Sequence, residues 1–209
     1  MLTKIKDTTI KNFCEKLNRG EITSTSLLNE IRESKLDFFW HPLGFVLGTY
    51  LSNNKEKIRI HIWPKEGSQQ QKPYWNIHNH IFHLTSWVLE GEITNQEYRI
   101  INDEKSDKCI YKVNYQGNES CLFKTKRGIS LEQEKKEIHG KGNVYKIGTD
   151  TFHHSIRTSI NSALTVVLSI EEELKSPLVV GNKHAKQEYR YPRVKVNSSY
   201  LKNLINEFN

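Results

Sequence analysis

The feature that most constrains the fold of this chain is a series of short apolar and β-branched segments between about residues 38 and 170. The clearest of these segments, residues 58–63 (IRIHIW), alternates strictly, with three isoleucines on one face and Arg59, His61 and Trp63 on the other. Turn-forming stretches such as NYQGNES and IHGKGN separate the later segments. Short strands at regular spacing, with few helices among them, predict an antiparallel sandwich or barrel.

The aromatic stretch FFWHPLGFVLGTYLS predicts a strand with bends, and further strands are predicted after the alternating segment. They cover residues 74–81, 84–90, 95–101, 109–114, 120–124, 143–147, 152–157 and 163–170. Apolar residues at helical spacing predict helices over residues 3–18, over SLLNEIRESK and over the terminal SSYLKNLINEF. We therefore predict an N-terminal helical extension (1–36), a β-barrel (37–174) and a C-terminal extension packing on it (175–209). The N-terminal helices are expected over one end of the barrel.

Charge and cysteine usage narrow the classes of partner and compartment. The net charge is +7, but the basic residues are scattered and form no stripe interleaved with aromatic residues, so we do not expect a nucleic-acid partner. No apolar run reaches the roughly 18 residues of a membrane span, and the N-terminus lacks the apolar core of a secretory signal. Three widely spaced cysteines are typical of reduced thiols, so we expect a cytoplasmic protein without a membrane partner.

Three of the nine histidines, His78, His80 and His83, fall within six residues. On a strand, side chains two residues apart leave the same face about 6.6 Å apart. His78 and His80 can therefore direct ring nitrogens at one ion at about 2.0–2.2 Å. His83 points to the opposite face if the strand is regular. A pair of this kind also arises by chance, so a structural role for the two histidines is the alternative.

A third ligand must come from another strand, and His153 and His154 stand at the start of the predicted strand 152–157. Alternation puts His153 on a face with polar Ser155, and His154 on a face with apolar Phe152. A polar cavity favours His153, and we predict His78, His80 and His153 as metal ligands, with His154 as the alternative. His154 and His83 are also candidates for supporting roles, orienting a ligand or moving a proton.

The order and spacing of these residues resemble the two motifs of the cupin superfamily. The matching positions are His78, His80 and Gly91 in the first motif, and Gly142, Gly148, Asp150 and His153 in the second. Lys72 replaces the opening glycine of the first motif, and Leu84 replaces its glutamate ligand. A cupin without that glutamate resembles the thiol dioxygenase branch, which binds iron through three histidines.

The resemblance implies an all-β, cupin-type double-stranded β-helix (jelly-roll barrel) and a mononuclear iron(II) dioxygenase. Its partners would be a small molecule with a thiol or carboxylate group and dioxygen. The histidine ligands are equally compatible with Mn, Co, Ni or Zn. A metal-dependent isomerase or lyase, and a non-catalytic cupin that binds small molecules, are the alternatives. A homodimer formed through edge strands is also compatible with the barrel.

Substrate binding is assigned to Arg59 and His61 on the polar face of their strand. If that face points into the barrel, Arg59 can hold a substrate carboxylate. If it points outward, both side chains belong to a solvated surface. The sequence leaves both orientations open.

Overall fold

The computed structural model describes residues 9–172 and 176–208. Its helices are α1 (Ile10–Asn18), α2 (Ser24–Glu33) and α3 (Ser198–Asn206). Its strands are β1 (Phe38–Trp40), β2 (Val46–Ser52), β3 (Glu56–Trp63), β4 (Phe82–Glu90), β5 (Glu92–Asn102), β6 (Lys108–Gln116), β7 (Glu119–Gly140), β8 (Val144–Ile147), β9 (Phe152–Arg157), β10 (Ala163–Glu171), β11 (Leu178–Asn182), β12 (Glu188–Pro192) and β13 (Val194–Lys195). Residues 3–8 of the first predicted helix and the predicted boundary between 174 and 175 lie outside the described residues.

The strands form two antiparallel sheets with jelly-roll topology. One sheet has the order β13-β1-β2-β3-β10-β4-β8, and the other has the order β11-β6-β7-β5-β9, with β12 paired to β7. The chain passes from β3 in the first sheet to residues 74–81 beside β9 in the second, and then to β4 and β5. It later crosses from β7 to β8, β9 and β10 in the same alternating manner. This alternation defines a double-stranded β-helix, so the predicted cupin-type all-β fold is confirmed.

The central strands of the seven-stranded sheet, β3 and β10, are covered on both faces. Ile58, Ile60 and Ile62 on β3 are fully buried and pack with α1 and α2 residues such as Phe13 and Leu27. The two N-terminal helices therefore cover the outer face of this sheet, and the expectation that they pack over one end of the barrel was wrong. The alternating pattern of β3 explains the result, because its isoleucine face needs an apolar cover and its other face is left for the interior.

Two segments differ from the predicted strands. Residues 74–81 are not a regular strand, because their ladder contacts are single bridges from His78 to His153 and to Val179. In contrast, β7 runs over 22 residues, far beyond the predicted 120–124. Its charged second half pairs with β5, where backbone hydrogen bonds hold a sequence that lacks apolar alternation. Among the described residues, no helix has the length and apolar character needed to cross a bilayer.

Candidate metal centre

The structure brings His78, His80 and His153 together. Each ring offers one nitrogen that lies within 4.8 Å of the nitrogens offered by the other two. The Nε2 atoms of His80 and His153 are 2.9 Å apart. The ring centroid of His78 lies 4.7 Å from that of His80 and 4.7 Å from that of His153. Nitrogens bound to one ion at about 2.0–2.1 Å are separated by roughly 3 Å. The cluster therefore has the size of a three-histidine metal site.

Backbone pairing explains why residues so distant in sequence meet. The His78 N–H donates to the His153 carbonyl at 3.1 Å, and the His153 N–H donates to the His78 carbonyl at 2.8 Å. This reciprocal pair places the two residues directly opposite each other, as in an antiparallel ladder. His80 follows two residues later and returns to the same side. The two halves of the predicted site thus meet across one bridge between the sheet and an irregular segment.

Hydrogen bonds orient two of the three rings. Nδ1–H of His78 donates to the backbone carbonyl of Asn76 at 3.0 Å, which leaves the Nε2 lone pair available. Nδ1–H of His153 donates to Oδ1 of Asn95 at 3.0 Å, and the Asn95 amide is oriented because its Nδ2 donates to Glu97 at 3.2 Å. The Ser155 hydroxyl also donates to Asn95 Oδ1 at 3.0 Å. Partners of this kind fix ring orientation in metal sites.

Burial keeps the three imidazoles neutral. Desolvation lowers the pKa of His78, and it lowers the pKa values of His80 and His153 well below the ordinary value, with charge on neighbouring histidines acting in the same direction. A metal ion binds neutral imidazole, so these rings do not need to lose a proton when a metal binds near neutral pH. The donor set therefore fits a first-row divalent ion.

The cluster lies in the wall of an internal cavity of about 80 Å³. Apolar side chains from β2, β3, β4 and β10 form much of the remaining wall. Leu84, at the position of the cupin glutamate, is one of them, and no Asp or Glu lines the cavity in the part of the chain that the structure describes. A wider surface groove of about 400 Å³ near Tyr115 contains none of the three histidines.

Arg59 and His61 also line this cavity, so the interior orientation is the one observed. The Arg59 guanidinium lies 4.8 Å from the centroid of the Phe82 ring. His61 packs on Phe45, and burial together with the Arg59 charge lowers the pKa of His61 to about 3. Burial also lowers the pKa of Arg59. The cavity thus holds a cationic side chain beside neutral imidazoles.

The two remaining histidines of the prediction lie elsewhere. His154 is on the opposite face of β9, where its ring contacts the Asn76 side-chain amide at 3.0 Å from Nδ1. His83 is half-exposed on β4 and pairs with Glu172 at 2.8 Å. The structure therefore does not bring His83 to the cluster. His154 shares the contact with Asn76, whose backbone carbonyl accepts the hydrogen bond from His78, and its charge also affects the pKa of His153.

Sequence reasoning missed three residues of the site, of which Tyr145 and His41 line the cavity. Asn95 orients His153, Tyr145 enters from β8, and His41 enters from the turn before β2. Burial raises the pKa of Tyr145, and the nearby hydroxyls of Ser86 and Ser155 oppose that shift. Tyr145 and Ile147 share the buried face of β8, and the alternation of this strand could have indicated that Tyr145 points inward. No local pattern marks Asn95 or His41.

No family model and no curated protein matches the sequence. Similar solved structures include a cupin superfamily protein from Desulfitobacterium hafniense, with 8% identity, 61% of this chain and 78% of that chain covered, and a TM-score of 0.36. An RmlC-like cupin from Shewanella frigidimarina has 10% identity, coverage of 67% and 87%, and a TM-score of 0.38. The DMSP lyase DddQ from Ruegeria pomeroyi has 13% identity, coverage of 64% and 50%, and a TM-score of 0.36.

These similarities are distant, and the strand order of the chain itself defines the fold. The chain is a jelly-roll β-barrel of two antiparallel sheets, and its interior carries a cluster of three histidines suited to a metal ion.

Proposed function

We propose that the protein is a mononuclear non-haem iron(II) oxygenase acting on a small thiol- or carboxylate-bearing molecule. The observation that carries this proposal is the convergence of three neutral imidazoles, His78, His80 and His153, on one side of a cavity inside the barrel. In the described part of the chain, the cavity wall contains no carboxylate to complete a different ligand set.

The three histidines would hold the metal through nitrogen atoms that face one another, with the Nδ1 atoms of two rings engaged by Asn76 and Asn95. Bound iron(II) would supply a Lewis-acidic and redox-active centre with coordination positions open to a substrate and dioxygen. Neutral imidazoles leave the charge of a divalent ion uncompensated, so an anionic donor from the substrate would be favoured. The apolar part of the wall would exclude bulk water from the reacting groups.

The position of Arg59 supports the proposal that the substrate is anionic. Its guanidinium lines the cavity, and no carboxylate among the described residues pairs with it. Glu171, whose charge reaches Arg59, is instead paired with Lys57 at 2.5 Å. We infer that Arg59 binds an anionic group of the substrate, because a guanidinium forms charge-assisted hydrogen bonds to carboxylates. His61, next to it on the same face of β3, would border the same group.

The test begins with elemental analysis of protein purified without added metal, followed by anaerobic loading with iron(II). Oxygen uptake is then measured with a panel of small thiols and carboxylic acids. We expect iron-dependent uptake in the wild type and in His83→Ala, whose side chain lies on the surface. We expect none in His153→Ala, which removes a ligand.

Iron binding without oxygen uptake on any panel member would contradict the oxygenase. Turnover of a panel member under anaerobic conditions would instead identify an isomerase or lyase. If the protein binds neither iron nor Mn, Co, Ni or Zn, the proposal of a metal centre is refuted.

A further inference from the structure

His41 is held rigidly in the turn that precedes β2. Its N–H donates to the Phe45 carbonyl at 2.8 Å, and its carbonyl accepts from the Gly44 N–H at 2.8 Å. Gly44 has φ +91°, and a Cβ there would lie 2.1 Å from Ser68 Oγ, so the turn requires glycine at this position. The His41 ring stacks on Phe45 with centroids 4.2 Å apart and planes 11° apart. The side chain therefore has little freedom to reorient.

The hydrogen bond to its Nδ1 fixes the tautomer of His41. The backbone N–H of Leu43 donates to Nδ1 at 3.2 Å, and a backbone amide can only donate. Nδ1 is therefore the acceptor, and a neutral ring must carry its hydrogen on Nε2. The ring is neutral because desolvation, with the nearby His78, His61 and Arg59, lowers the pKa of His41 well below its usual value.

No hydrogen bond joins Nε2 of His41 to another described residue, and this nitrogen is not among the fully buried unpartnered atoms, so its N–H is open to the cavity. The ring lines the cavity of the three-histidine cluster, where Arg59 also lies. Neither group has an anionic partner in the described part of this cavity wall. A donor with a fixed direction and a guanidinium in one small cavity form a site for an anionic oxygen.

We propose that His41 is a substrate-binding residue whose Nε2–H donates a hydrogen bond to a carboxylate or similar oxyanion, in a subsite that it shares with Arg59. The proposal rests on the proposed function, since the ligand would place its other end at the histidine cluster. The substrate class that fits is a short molecule with a metal-binding donor, such as a thiolate, a few atoms from an oxyanion.

The tautomer is tested without metal or turnover. Protein labelled with ¹⁵N-histidine is studied by long-range ¹H–¹⁵N correlation, and His41→Phe, which keeps an aromatic ring for stacking, identifies the His41 signals by their loss. We expect the Nε2–H tautomer in the metal-free protein at neutral pH. An Nδ1–H tautomer, or a charged ring, would overturn the proposal.

Binding is tested with the cobalt(II)-loaded protein, whose visible spectrum reports donors that bind the metal. Mercaptoacetate carries a thiolate and a carboxylate, and 2-mercaptoethanol is the probe without the carboxylate. A charge-assisted hydrogen bond contributes about tenfold to a hundredfold in affinity. We expect His41→Phe to weaken mercaptoacetate binding by about that factor and to weaken 2-mercaptoethanol binding much less, because its neutral hydroxyl accepts only a weaker hydrogen bond. His41→Gln, which restores an N–H donor, should recover part of the loss.

Equal mercaptoacetate affinity in the wild type and His41→Phe would overturn the role of His41, while cobalt binding would leave the metal centre intact. An equal loss for both probes would assign His41 to the structure of the cavity and would also overturn the proposal. A wild type that binds neither cobalt nor iron would refute the proposed function. The tautomer measurement on the metal-free protein would then still test the His41 donor on its own.

Discussion

The orienting contact from Asn95 gives the sharpest quantitative prediction about the histidine cluster. Its Oδ1 accepts a hydrogen bond from His153 Nδ1–H at 3.0 Å, and the residue is only 2% exposed. Asn95→Ala therefore removes a buried acceptor from a candidate metal ligand. Loss of a partner of this kind lowers metal affinity about tenfold to a hundredfold, or about 1.4–2.7 kcal/mol. Ser155 Oγ, 3.2 Å from the same Nδ1, remains as a substitute acceptor. We therefore expect the lower end of that range.

The assay is competition between the protein and a chromophoric chelator for zinc(II) or cobalt(II). Thr94→Ala is the matched control, because Thr94 is the neighbouring residue on β5, is 1% exposed and bonds Thr158 at 3.0 Å instead of a histidine. Both variants should lose about 1–3 kcal/mol of unfolding free energy from a broken buried hydrogen bond, but only Asn95→Ala should lose metal affinity. Asn95→Asp, which keeps an acceptor, should bind metal at least as tightly as the wild type. Equal dissociation constants for Asn95→Ala and Thr94→Ala would refute the reasoning.

Two further predictions concern stability. The pKa of His61 is about 3 in the folded protein and about 6.5 in the unfolded chain, so the unfolded state binds more protons between these values and the free energy of unfolding falls as the pH drops, by up to about 1.4 kcal/mol per pH unit. In urea titrations between pH 7 and pH 4, His61→Leu should show a shallower fall than the wild type, and an identical slope would contradict the burial of His61. Gly91 has φ +73°, and a Cβ there would lie 2.7 Å from the Ala163 Cβ, whereas Gly117 has φ +56° with nothing within 4 Å. Gly91→Ala should therefore lower the thermal unfolding temperature more than Gly117→Ala does. Equal losses would show that the close contact at Gly91 does not matter.

The parts of the fold that the sequence predicted are those with a local signal. Alternation in residues 58–63 and the turn-rich spacers identified the barrel strands, because side-chain period and turn chemistry act over a few residues. The second half of β7 has no such signal. Its charged residues are held by pairing with β5, which is a property of the sheet and not of the segment.

The same division applies to the site. His78, His80 and His153 are predicted by strand alternation together with a spacing that resembles a family motif, and the structure brings the three rings together. The orientation of Arg59 could not be predicted, because it depends on which face of β3 the N-terminal helices cover. Asn95 reaches the cluster only through the pairing of β5 with β9, which no short stretch encodes.

The sheet that carries β3 has consequences for how the protein can be divided. Ile60 is fully buried in the apolar cluster that includes the N-terminal helices, while Arg59 and His61 on either side of it line the cavity. A truncated protein that began at β1 would expose the apolar isoleucine face of β3 to water, directly behind the cavity. An exposed apolar surface of this kind promotes aggregation, and without its cover β3, which forms part of the cavity wall, can shift. The N-terminal helices are therefore an integral part of the structural unit that forms the cavity.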